Sequence, residues 1–488
     1  VAIARHGARV EIDPHARERM VAARDVVVGA ASAGRPVYGV TTGLGPRVVD
    51  AVEGARGPEY SLRTLRGRAT AVGAPLPTEV TRATMAVRLN GLCAGGAGTS
   101  EAIAPMLAAM LNAGVHPLLP GSGSVGASDL CLLAHLGLVM IAEGHAELDG
   151  EQLPAAHALA RADLSPVAVE AKDGLALCSS SAVSCGAAAL ALVDARSVLA
   201  EAQVSAALAM EALRANLSPL DPRVVAARPA PGQDWAAAGL RSLLAGGELT
   251  EPGGPRRLQD PLSFRCASQI HGGFHFALAS LEAALAPDLN GAADNPLVLA
   301  DTGEILSTGN FHVPALAMAL DAVAIAAAQV ASALGERPAR LKSEAVSGLP
   351  SNLVSGDSTR SGVAPLGKTA QALTLEIRHL AAPLAIHSMV GAGGIEDDST
   401  GATQAALRVC DQLGRLRRLV AIELLVAAQA LELRGAVRLG GGTQAAYLWV
   451  RESVTALEDD RPLGEEVERL AGGLSDGGLL RRVIAAAA

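Results

Sequence analysis

The sequence predicts a mainly α-helical protein: a bundle of long helices with a smaller, loop-rich N-terminal region. Half of the 488 residues are apolar while 2% are aromatic, so Ala, Leu and Val must fill the interior, and Ala and Leu are strong helix formers. Long Ala/Leu runs with few breakers recur at 187–215, 315–335, 368–381 and 403–434. Strand signals are sparse: "PVYGV" (36–40) and "PLVLADTGEILS" (296–307), the second a hairpin turning at Thr302-Gly303.

In 415–434 apolar residues occupy almost every face, which marks a helix buried in a bundle or at a subunit contact. The runs 187–213 and 315–334 are interrupted by Asp194, Arg196, Glu201 and Asp321. A lipid span needs roughly 20 uncharged apolar residues, so both read as buried helices. The expected division is 1–185, a loop-rich region carrying Tyr38 and the Ala127-Ser128 loop, and 186–488, the central bundle and C-terminal helices. The tail after Asp459 is charged and glycine-containing and reads as peripheral.

The net charge is −9 and the basic residues are mostly isolated, which leaves no footprint for nucleic acid or a polybasic membrane contact. A small molecule is the expected partner. The six cysteines show no CxxC pattern and nothing at Val1 resembles a secretory signal, so reduced thiols in the cytoplasm are expected. No metal site is expected. His135 and His145 are too far apart for a helical pair, and His271 with His275 lacks the acidic partner of HExxH. That pair reads as a helix face at a subunit contact.

Seven short segments combine turn chemistry with polar groups: "YGVTTGLG" (38–45), "GSGSVGASDL" (121–130), "KDGLALCSSS" (172–181), "QDPLSFRC" (259–266), "NGAADNP" (290–296), "TGNFH" (308–312) and "GGIEDDSTG" (393–401). Loops on a rigid helical scaffold are where sites are usually built. The segment at 121 has neither the GK[ST] of a phosphate loop nor the GxSxG of a nucleophile elbow. Ser128 as a simple nucleophile needs a base, and His135 lies about two helical turns further on.

Together and in this order the segments resemble the histidine and phenylalanine ammonia-lyase superfamily, from about Val37 to Arg434. "YGVTTGLG" is similar to that family's Y-G-x-N-T-G-F-G, "GSVGAS" to G-S-V-G-A-S-G-D-L and "KDGLAL" to K-E-G-L-A-L-x-N-G. "QDPLSFRC" is similar to Q-D-x-Y-S-x-R-C, "ADNP" to T-D-N-P, "TGNFH" to G-G-N-F-H-G and "IEDD" to Q-E-D-H. The resemblance implies the long-helix bundle of the aromatic amino acid lyases, assembled as a homotetramer whose active sites are shared between subunits. It also implies no added cofactor, because the family's Ala-Ser-Gly cyclises on itself to a methylidene-imidazolone electrophile. Tyr38 then matches the general base that removes the β-proton. Arg265 matches the arginine that clamps the substrate carboxylate. Ala127 and Ser128 match the first two members of the triad, Asn310 and Phe311 match site-lining positions, and Glu396 matches a glutamate associated with imidazole-type substrates.

Several site positions depart from the pattern. Where the family reads A-S-G-D-L, residues 127–130 read A-S-D-L, so Asp129 follows Ser128 directly. Glycine's conformational freedom, which the compressed loop uses, is thereby lost. Ser179 replaces the asparagine of L-A-L-x-N-G, Leu262 the second tyrosine of Q-D-x-Y-S, Thr41 a loop asparagine and Ile395 a glutamine; Arg68 stands where a histidine commonly precedes the AxGxG motif. These changes favour an enzyme that keeps Tyr38 and a cationic anchor, acts on a small carboxylate-bearing substrate, and works without the electrophile by elimination, isomerisation or cyclisation. The alternatives are an electrophile-dependent histidine or aromatic amino acid ammonia-lyase or aminomutase, and a non-catalytic paralogue partnering an active subunit.

Overall fold

In the computed structural model, residues 1–53, 56–356 and 359–487 are described. All four long helices form where the Ala/Leu runs place them: Ala182–Leu213, Pro314–Leu341, Leu366–His379 and Ala402–Arg434. Pro314 opens its helix, where the missing N–H and fixed φ cost nothing. The same logic starts Pro14–Ser32, where the Asp13 side chain also accepts from the N–H groups of His15 and Ala16.

The chain forms two compact units, each assembled from three segments: Val1–Ala191, Leu281–Leu320 and Pro383–Arg408 in one, Leu192–Ser280, Asp321–Ala382 and Val409–Ala488 in the other. In the first, Thr78–Cys93, Ile103–Ala113 and Leu130–Met140 bury Met85, Leu92, Leu107 and Leu132 completely. Each such side chain contributes about 1.5–3 kcal/mol. Its strands are short. Val72–Pro75 pairs with Pro120–Ser122, His145–Leu148 lies between His116–Pro117 and Glu151–Pro154, and Leu297–Leu299 turns back on Glu304–Leu306.

In the second unit, Leu419, Val420, Ala421 and Ile422 in succession are fully buried, as the all-apolar pattern requires. A fully buried ion pair, Arg337 with Glu423, crosses this interior, and Glu423 also accepts from the Ser205 hydroxyl.

Two expectations are corrected. "PVYGV" is not a strand, because the N–H groups of Val40, Thr41 and Thr42 all converge on the Val37 carbonyl and wind the segment into a tight turn. The tail beyond Asp459 carries the helices Gly464–Ser475 and Gly478–Ala487, and Val467, Leu470, Ala471 and Leu474 at helical spacing give the first of these a buried face.

Candidate active site

The site is built within the first unit. The tight turn after Val37 presents Tyr38. Thr41 Oγ1 accepts from the Val37 N–H at 2.7 Å and donates to the Arg35 carbonyl at 2.6 Å, which closes the turn from below. Gly39 follows at φ +68, where a Cβ would lie 2.5 Å from a Leu175 methyl, so no larger residue fits. The Tyr38 phenol oxygen accepts the Gly45 N–H at 2.9 Å.

Opposite Tyr38 lies the loop that follows strand Pro120–Ser122. Gly126 adopts φ +84, and a Cβ there would meet Thr400 Oγ1 at 2.3 Å and the Gly401 nitrogen at 2.6 Å. Thr400 Oγ1 donates to the Gly126 carbonyl at 2.9 Å and the Gly401 N–H to the Val125 carbonyl at 3.0 Å. Ala127 bridges to His312. Ser128 takes a left-handed φ of +67 and is buried, and its Oγ has no hydrogen-bond partner among the described residues.

Asp129 is fully buried. Its carboxylate accepts from Thr403 Oγ1 at 2.7 Å, Ser124 Oγ at 2.9 Å, the Ser184 N–H at 2.9 Å and Ser184 Oγ at 3.1 Å. Burial raises its pKa above the ordinary carboxylate value, and these hydrogen bonds oppose the rise. The Asp129 N–H donates to the Ser180 carbonyl at 2.8 Å.

A cavity of about 180 Å³ gathers Tyr38, Arg68, Ala127, Ser128, Ser179, Phe311 and Glu396. Arg68 ends the helix Gly57–Arg68 and Ser179 ends Asp173–Cys178. The remaining expected residues lie elsewhere. Asn310 is exposed and its amide donates to the Ala292 carbonyl at 3.2 Å. Leu262 and Arg265 belong to the second unit, on the short helix Leu262–Arg265. There Leu262 is 60% exposed and the Arg265 guanidinium donates to Gln259 Oε1 at 2.7 Å. Asp129 turns its carboxylate to Ser124, Ser184 and Thr403 and is not part of the cavity lining.

Sequence reasoning missed Asn295 and Leu44, which do line the cavity; the available signal was their place in the quoted "ADNP" and "YGVTTGLG" segments. Among the described residues no cluster of His, Cys, Asp or Glu is arranged to hold a metal ion. His271 is fully buried, and burial with the neighbouring Arg337 charge depresses its pKa to about 3. His275 stacks on Trp235 at 4.4 Å.

A family model described as aromatic amino acid lyase matches residues 1–452. The histidine ammonia-lyase of Symbiobacterium thermophilum is 40% identical over 488 residues, 100% of this chain and 96% of that protein. That of Anaeromyxobacter sp. (strain K) is 38% identical over 98% of this chain and 96% of its own. Among solved structures, histidine ammonia-lyase from Trypanosoma cruzi superposes with a TM-score of 0.92 at 31% identity, covering 99% of this chain and 92% of that one. An ergothioneine-degrading enzyme from Treponema denticola, in complex with desmethyl-ergothioneine sulfonic acid, gives 0.94 at 29% identity over 98% and 96%.

These relatives overturn the expected reaction without an electrophile. Proteins sharing 37–40% of their residues with nearly the whole chain are histidine ammonia-lyases, which supports the electrophile-dependent alternative instead. By fold, by the ordered segments and by these matches, the chain belongs to the aromatic amino acid lyase family and is an enzyme of the ammonia-lyase superfamily.

Proposed function

We propose that this chain is a histidine-type ammonia-lyase that eliminates ammonia from an imidazole-bearing α-amino acid, with an electrophile made from its own residues 127–129. The observation that carries this reading is Ser128. It stands at the cavity in a left-handed conformation with its hydroxyl buried and unpartnered, so loss of that hydroxyl sacrifices no hydrogen bond. Ala127 would contribute the carbonyl carbon, Ser128 the side chain and Asp129 the backbone nitrogen. A Cβ at the third position is compatible with this role because four hydrogen bonds hold the Asp129 carboxylate outside the cavity lining. The methylidene-imidazolone supplies an electrophilic carbon that makes the substrate amine a better leaving group.

The chain's own side chains do the rest. Tyr38, its oxygen held by the Gly45 N–H, takes the β-proton. As the Cα–N bond breaks, the electrons of the Cβ–H bond form the Cα=Cβ double bond of the unsaturated acid. Glu396 faces the imidazole. Arg68 supplies positive charge in the cavity for the substrate carboxylate, and Arg265 completes the clamp from another copy in a homotetramer with shared sites. Phe311 packs against the substrate ring, with Ser179 beside it, while Asn310 and Asp129 support the loops that carry these groups. The partner is a small molecule, with neither nucleic acid nor membrane involved. The six free cysteines support a cytoplasmic location.

Intact-mass measurement of the purified chain tests the reading together with ammonia release from L-histidine. The mass should fall short of the sequence mass by two waters. Tyr38→Phe should lower turnover by about 10²–10⁴-fold. An unmodified mass in a protein inert toward L-histidine sinks the proposal.

A further inference from the structure

Glu396 reaches the cavity from a loop that burial does not hold within the chain: Met389, Val390 and Ile395 are all more than 60% exposed. Polar bonds give the loop its shape. The Gly391 N–H donates to the Glu396 carbonyl at 2.6 Å, and the Met389 N–H to Ser399 Oγ at 2.8 Å. Asp398, two positions beyond Glu396, closes the neck, its Oδ1 accepting from Ser388 Oγ at 2.6 Å and from the Ser399 N–H at 2.9 Å.

The other carboxylate oxygen of Asp398 leaves the loop and meets His312 Nε2 at 3.2 Å. The bonds from Ser388, His312 and Ser399 hold the Asp398 carboxyl below its ordinary range. It is therefore ionised at neutral pH and can only accept, so the ring N–H at Nε2 donates. His312 is itself a fixed point. Its N–H donates to the Gly309 carbonyl at 2.8 Å, Ser181 Oγ donates to the carbonyl of the preceding Phe311 at 2.6 Å, and its backbone bridges to Ala127. The family patterns G-N-F-H-G and Q-E-D-H each carry a histidine; this chain keeps the first as His312 and has Asp398 in place of the second.

We propose that His312 and Asp398 are positioning residues for Glu396: their contact seats the Glu396 loop on the backbone that holds Ala127, and so sets the distance between the Glu396 carboxylate and residues 127–128. Thr400 and Gly401 already tie the chain to Gly126 and Val125. The His312–Asp398 contact carries that attachment closer to Glu396. The inference rests on the reading of Glu396 as the group that faces the imidazole, and adds to it a carboxylate–imidazole pair that the family patterns do not contain.

The test compares Asp398→Ala and Asp398→Asn with the parent, each alone and combined with Glu396→Gln. Asp398→Ala should lower kcat/KM on L-histidine about tenfold, the scale of one hydrogen bond to a charged group. In the Glu396→Gln background the same change should cost less than about twofold, because the residue it positions is already disabled. Asp398→Asn keeps an oxygen for Ser388 and Ser399 and offers an amide to His312 Nε2, so it should stay within about threefold of the parent. Every variant should keep the mass deficit of two waters, because the pair acts through Glu396 and not on the processing of residues 127–129. Amide hydrogen exchange, read with no substrate present, should quicken about tenfold across 387–399 in Asp398→Ala and in His312→Leu, with the helix Leu130–Met140 unchanged. Unchanged exchange across 387–399 overturns the proposal whatever the substrate. So does an equal loss of kcat/KM in both backgrounds, or loss of the mass deficit in Asp398→Ala alone. A parent protein with an unmodified mass and no action on L-histidine instead overturns the proposed function, and the exchange rates still decide whether His312 and Asp398 hold the Glu396 loop.

Discussion

Replacing Asp129 by Ala removes a fully buried carboxylate that ties three stretches of chain together. Its partners fare differently. The hydroxyls of Ser184 and Thr403 already face each other at 3.0 Å, and that of Thr403 reaches Ser124 Oγ at 2.9 Å, so all three retain partners. The Ser184 N–H does not. It lies in the first turn of the helix Ala182–Leu213, where backbone donors have no intrahelical acceptor. Asp129 caps that turn from 55 residues away in the chain.

An orphaned buried N–H costs about 1–3 kcal/mol, and the space left by the carboxylate adds about 1 kcal/mol. Relief of carboxylate desolvation offsets part of this, so Asp129→Ala should destabilise by about 2–4 kcal/mol. Asp129→Asn keeps one oxygen for the Ser184 N–H and can donate its amide to the adjacent hydroxyls, so its loss should be nearer 1 kcal/mol. Urea unfolding with m held constant measures both. The Ala variant should also retain the full sequence mass if Ser128 needs this anchor to be processed. Both variants lying within about 0.5 kcal/mol of the parent would refute the capping argument.

Ser128→Gly should stabilise the unprocessed chain by about 1–2 kcal/mol, because it removes a left-handed penalty and an unsatisfied hydroxyl at once, while abolishing turnover; urea midpoints and ammonia release check the two halves. Arg337→Met leaves the Glu423 carboxylate buried without its cation and should cost about 3–5 kcal/mol, with Arg337→Met/Glu423→Leu recovering most of it in the same assay. Burial depresses the Lys172 pKa from 10.5 to about 8. The folded chain sheds this proton before the unfolded one, so the contribution is complete above pH 10.5 and lost as pH falls through about 8. The wild type should gain about 3 kcal/mol relative to Lys172→Met between those limits, which the difference between their pH-stability curves reads directly.

The long helices were legible because a run such as 415–434 leaves no polar face for solvent, and burial is then the only outcome. The helices beyond Asp459 were hidden by their glycines and charges. Only the spacing of Val467, Leu470, Ala471 and Leu474 gives the first away. "PVYGV" was misread because Val37 and Val40 have strand propensity, yet three N–H groups converge on one carbonyl and override it. Within the site, Tyr38, Ala127 and Ser128 could be found from motif order. The orientation of Asp129 could not, because nothing in the string "ASDL" says that Ser124, Ser184 and Thr403 meet around one carboxylate. Asn310 was read as lining from its motif, but its amide instead secures the Ala292 carbonyl.

The shortened triad follows from the same fixed points. Gly126 is held on one side by Thr400 and Gly401, Asp129 on the other by its four hydrogen bonds, and only Ala127 and Ser128 span the interval. A glycine between Ser128 and Asp129 could take positive φ without cost. In its absence Ser128 itself takes φ +67, at about 1–2 kcal/mol, and its hydroxyl is left with no partner among the described residues. Neither cost recurs at Ala127. Both fall on the one residue whose hydroxyl and α-hydrogen the proposed processing would remove, and a trigonal α-carbon carries no left-handed penalty. The missing glycine thus moves strain onto the atoms that are to react, so its loss does not by itself disarm the loop.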